Sequence, residues 1–116
     1  MADVAWTTVE GGSGVKYHEV TITGANNTTE IIAVDPDKEL SLIMKYDTES
    51  DGNADSLSIE ISTANVPATA NMMEDITGIV ADKSDVPEGP ISGMRFVSNG
   101  ADTHSIYLVE AYRNSR

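Results

Sequence analysis

Ser56-Leu57-Ser58-Ile59-Glu60-Ile61-Ser62 alternates between small or charged polar residues and aliphatic ones. Successive side chains of an extended chain point to opposite faces. This stretch therefore puts Leu57, Ile59 and Ile61 on one face and Ser58, Glu60 and Ser62 on the other. A strand with one apolar and one polar face is the mark of an antiparallel sheet packed on one side. The same period extends outward along the chain. Leu40, Leu42, Met44 and Tyr46 alternate with Ser41, Ile43 and Lys45. Val20 and Ile22 alternate with Glu19, Thr21 and Thr23, and Met94 and Phe96 with Arg95 and Val97.

Two segments are apolar on both faces, Ile31-Ile32-Ala33-Val34 and Ile106-Tyr107-Leu108-Val109. They read as central strands, or as strands covered by a neighbouring subunit. Val4–Val9 and Asp75–Ala81 complete the set, for about eight short strands. Only Asn71–Asp75 hints at a helical turn. The turn signals agree with a sandwich. Gly24-Ala25-Asn26-Asn27 tolerates positive φ, Asp35-Pro36-Asp37 starts a turn, and Pro87-Glu88-Gly89-Pro90 is a rigid loop. Asn99-Gly100 is a hairpin signal between the Met94 and Ile106 strands. Gly11-Gly12-Ser13-Gly14 reads as a flexible joint. The expected fold is all-β, an antiparallel β-sandwich of jelly-roll type. Its expected organisation is an N-terminal strand or arm over residues 1–10, a sandwich domain over 15–112 and a C-terminal tail over 113–116.

The 116 residues suffice for one core without disulfide staples. There is no cysteine, which excludes a disulfide scaffold, a thiolate zinc site and a cysteine nucleophile. Nineteen acidic against seven basic residues give a net charge of −12, which a DNA backbone repels, so no direct nucleic-acid partner is expected. No apolar run approaches the roughly 20 residues of a helical membrane span, so no membrane partner is expected. Met1-Ala2-Asp3-Val4 carries no basic segment before an apolar stretch, so no secretory signal is expected either.

Catalytic constellations are absent from the sequence pattern. His18 and His104 stand outside any nucleophile elbow and read as exposed or partly paired strand histidines. Carboxylates occur in nearly every loop, so no pair among them singles itself out. One segment stands above this background, Asp47-Thr48-Glu49-Ser50-Asp51-Gly52-Asn53-Ala54-Asp55. Oxygen ligands fall at its positions 1, 3, 5 and 9, with Gly at 6 for the sharp turn, which resembles calcium loops of the Asp-x-Asp-x-Asp-Gly type. In that reading Asp47, Glu49, Asp51 and Asp55 offer side-chain oxygens and Asn53 its carbonyl. The alternative is an acidic hairpin loop on Asp51-Gly52 with no metal.

Trp6 is the one tryptophan. It either packs on its own core or anchors an arm that adds a strand to a partner. Arg113 and Arg116 lie in a short basic tail that either frays or contacts an acidic partner.

Two stretches resemble small virion structural proteins of tailed bacteriophages. One is Tyr46-Asp47-Thr48 through Asp55-Ser56-Leu57-Ser58-Ile59-Glu60-Ile61. The other is Pro90-Ile91-Ser92-Gly93-Met94-Arg95-Phe96-Val97, followed by Asn99-Gly100 and Ser105–Ala111. The resemblance is one of style and covers about half the chain. It implies a head decoration, or cement, protein: non-enzymatic, made in the host cytoplasm, and placed on the capsid surface. The implied partners are the major capsid protein and further copies of the chain, preferably as a trimer. Two alternatives remain. One is a calcium-supported binding module for carbohydrate or protein, and the other a tail, neck or head-fibre component.

Overall fold

The structure is a computed structural model. It describes residues 3–23, 28–48, 56–87, 89–100 and 103–112, with backbone only for 47 and 48. Nine strands are present among these residues: β1 (Thr7–Glu10), β2 (Lys16–Ile22), β3 (Ile32–Ala33), β4 (Lys38–Thr48), β5 (Leu57–Ser62), β6 (Met73–Ile79), β7 (Lys83–Asp85), β8 (Gly93–Ser98) and β9 (Thr103–Tyr112). They form two sheets, one ordered β1-β2-β9-β4-β7 and the other β3-β8-β5-β6. Every strand pair is antiparallel.

The chain crosses between the sheets at nearly every connection after β2. Only β5 and β6 are both consecutive and in one sheet within that stretch. Such wrapping of an antiparallel ribbon is jelly-roll topology, with β1 added outside β2. The fold class read from the sequence therefore holds.

The alternating patterns build the core. Val20 and Ile22 of β2, Leu40, Leu42 and Met44 of β4, and Ile106 and Leu108 of β9 point inward from one sheet. Leu57 and Ile59 of β5 and Met94 and Phe96 of β8 meet them from the other. Phe96 is the bulkiest side chain that is fully buried.

Several local readings change. Asn99-Gly100 does not close a hairpin, because β8 and β9 lie in opposite sheets. Asn99 instead ties the sheet change to the start of β5, donating its backbone N–H to the Ser56 carbonyl at 3.0 Å and accepting the Ser56 N–H on Oδ1 at 2.9 Å. The loop after β4 is likewise an inter-sheet connection and no hairpin. β9 is central as expected, but β3 is an edge strand. In place of a helical turn over Asn71–Asp75, a 3₁₀ turn spans Thr69–Asn71 and β6 already begins at Met73.

The glycine-rich joint is a hydrogen-bonded turn of the β1–β2 hairpin. Gly11 donates to the Val15 carbonyl at 2.7 Å, and Gly14, at φ 78°, lies against the Tyr112 ring. A side chain at Gly14 would meet both the backbone restriction and that ring.

The N-terminal segment laces the two sheets together along one side. Val4 exchanges backbone hydrogen bonds with Thr28 and Glu30, both 2.9 Å, beside the four-stranded sheet. Three residues later β1 pairs with β2 in the five-stranded sheet.

The outer faces of the two sheets differ. On the four-stranded sheet Pro67 rests on Gly93, Asn71 holds Ser62 at 2.7 Å, and Arg95 Nε donates to Glu60 at 2.9 Å. The loop carrying Pro67 and Asn71 thus covers part of that face, which is why the outward Ser62 is buried.

Candidate functional site

The outer face of the five-stranded sheet is open. Its side chains belong to the register positions opposite in parity to the core residues. One row runs Val9, Tyr17, Val109, Ser41 from β1 through β2 and β9 to β4. The next runs Thr7, Glu19, Tyr107, Ile43, Ser84 across all five strands. Val9, Tyr17, Ile43, Tyr107 and neighbouring Val86 are each about half exposed, at 59, 55, 50, 45 and 55%. Together they line a shallow groove of about 700 Å³. Scattered single apolar residues on a surface mean little, whereas a contiguous set spanning a sheet is a candidate interaction surface. Glu19 is the carboxylate in these rows; Asp85 borders the groove on edge strand β7, paired with the inward Leu42, and no Lys or Arg lines the groove.

Beneath one end of this face lies a buried polar network. His18 Nε2 is 3.0 Å from Glu110 Oε1, and His18 Nδ1 is 2.8 Å from Thr8 Oγ1. Glu110 Oε2 accepts the Asp35 backbone N–H at 2.9 Å. The network thereby ties β1, β2, β9 and the turn before β4 to one another. Both rings, which read as exposed or partly paired, are hydrogen-bonded and inside, His18 at 4% and His104 at 2% exposure. His104 lies 3.3 Å from Ser98 Oγ and meets the Tyr46 ring edge-on. Parity explains both burials: His18 shares a face with Val20 and Ile22, and His104 with Ile106 and Leu108. Every buried side-chain polar atom among the described residues has a hydrogen-bond partner. These groups are thus satisfied structural elements, as a packed interior requires.

Of the expected contact and metal residues, the structure describes Trp6 in full and Asp47 in backbone. Trp6 packs its indole on Phe96, with ring centroids 5.7 Å apart, and donates Nε1–H to the Glu30 carbonyl at 2.8 Å. The structure thus brings Trp6 to its own core and not into the groove. Arg113 and Arg116 lie outside the described residues. So do Glu49, Asp51, Asn53 and Asp55 of the calcium-loop pattern, while Asp47 is described in backbone only, near the end of β4. Among the described residues no group of three or more His, Asp or Glu side chains could hold a metal ion.

Sequence reasoning missed the groove, although its signal was present. Tyr107 and Val109 make β9 apolar on the face away from the core, and Tyr17 and Ile43 repeat that feature on the strands beside it.

No family model matches the chain. No curated protein matches it either. Among solved structures, a Bacillus endospore appendage protein, from a family described as disulfide-linked pili, is similar over 99% of this chain and 96% of its own. The TM-score is 0.56 and the sequence identity 19%. What the two chains are shown to share is a fold, here seen in a chain that contains no cysteine.

Proposed function

We propose that this chain is a non-enzymatic structural subunit that works by joining a larger protein assembly. The observation that carries the proposal is the open apolar face of the five-stranded sheet, held on a sandwich whose buried side-chain polar atoms, among the described residues, are all satisfied. A surface of this kind offers contact area without a reacting group, which suits docking better than turnover. The shared fold with a pilus protein supports the same class.

Within that class the setting proposed is the exterior of a tailed-phage capsid, with the major capsid protein as partner. The net charge of −12 supports an outward position, since packaged DNA would repel it. A second reading, as the repeating subunit of a surface appendage, rests on the structural likeness alone. Without cysteine, any such polymer would be held by contacts other than disulfides. Immunogold electron microscopy of the particles that carry the chain tests both. Label spaced regularly over icosahedral heads is expected. Label along filaments would favour the appendage reading, and label confined to unassembled protein would overturn the proposal.

A further inference from the structure

We infer that the groove on the five-stranded sheet receives an extended segment of a partner protein that carries apolar side chains and at least one Lys or Arg. This rests on the reading of the chain as an assembly subunit and names the chemistry of what docks there.

Dimensions argue for a segment. Five strands at the usual spacing span about 19 Å, which an extended chain covers with about six residues. The two residue rows make a projected patch on the order of 250–300 Å², far below the roughly 800 Å² per partner of a stable protein pair. A second copy held by these two rows alone would therefore bury too little. It would also bring two faces with no cation in their lining together, between two molecules of charge −12.

Charge selects the segment further. The outward rows hold the Glu19 carboxylate, Asp85 borders the groove at its β7 edge, and no cation lines it, so a Lys or Arg beside the apolar side chains completes it. The charge of the whole chain steers such a segment toward the groove. Tyr17, Tyr107 and Ile43 supply the half-exposed apolar floor. Tyrosine and arginine are residues that interface cores favour.

The test uses the full chain and a library of random seven-residue peptides. Recovered peptides should be enriched in aliphatic or aromatic residues together with Lys or Arg. Their NMR shift perturbations on the labelled chain should centre on Tyr17, Ile43 and Tyr107. Glu19→Gln combined with Asp85→Asn should weaken them at least tenfold at low salt. Tyr107→Ser should abolish binding, and Ile43→Lys, also an exposed position, provides an independent variant. Four outcomes would overturn the inference: no recovered binder, acidic peptides, perturbations elsewhere, or perturbation of these residues by an uncharged oligosaccharide such as cellohexaose with no peptide recovered. Peptide binding by a chain that never enters large particles would sink the assembly reading but leave the groove. A chain found in large particles that binds no peptide would do the reverse.

Discussion

His18 and Glu110 are 92 residues apart in sequence, yet their side chains meet at 3.0 Å inside the sandwich, exposed by 3% and 2%. A buried pair contributes little to stability by being present, but losing one member is costly because the other is left unpaired. Glu110→Leu should therefore destabilise the chain by about 1–3 kcal/mol for each buried group it leaves without a partner. It strands both the His18 ring and the Asp35 N–H. The double variant with His18→Leu should cost clearly less than the two single changes combined. Urea unfolding of the four proteins measures this, and strict additivity would show that the two residues are not coupled.

Gly93 is fixed by its neighbour. A Cβ there would stand 2.6 Å from Pro67 Cβ and 2.9 Å from its Cγ. A proline ring on a packed loop cannot swing aside, so Gly93→Ala should cost about 1–3 kcal/mol through overpacking. Gly12→Ala is the control, since nothing lies within 4 Å of that position. Equal unfolding midpoints for the two variants would contradict the packing of Pro67 on β8.

Trp6 holds the N-terminal segment across both sheets through Phe96 and the Glu30 carbonyl. Trp6→Ala should cost the isolated chain about 2–3 kcal/mol from lost apolar burial. An unchanged urea midpoint in the isolated chain would mean that the indole does not act within its own molecule.

Surface and core tyrosine and phenylalanine positions should separate sharply. Tyr17→Ser with Tyr107→Ser changes outward side chains and should alter stability by no more than about 1 kcal/mol. Phe96→Ala opens the core and should cost about 3–5 kcal/mol. Thermal unfolding compares them. A loss as large for the tyrosine pair as for Phe96 would make the outer face part of the core's support and not a surface free to bind.

The strands that carry the core were legible because burial on one side imposes period 2, as in β5, β4 and β2. β7 was not, since Lys83-Ser84-Asp85 has no apolar residue. That stretch is pinned from outside, by pairing with β4 and by Asp82, which takes Lys45 Nζ at 2.6 Å and the Tyr46 N–H at 2.8 Å. The turn at Asn99-Gly100 was read as a hairpin because its dipeptide is a local signal, whereas strand partners are chosen by packing across the sandwich. His18 and His104 read by residue type as exposed or partly paired, although their parity, like that of Glu110, places them inside. The groove was half legible. β9 read as apolar on both faces, but lining it up with Tyr17 and Ile43 needs the register between strands distant in sequence.

The most direct test of the assembly role is rate-zonal sedimentation of extracts from the cells that produce the chain. The account predicts that the chain travels with particles of very large mass and falls to its own 12.4 kDa only after dissociation. It further predicts that Tyr17→Ser with Tyr107→Ser leaves the large fraction while remaining folded. Wild-type chain sedimenting wholly at 12.4 kDa would contradict it.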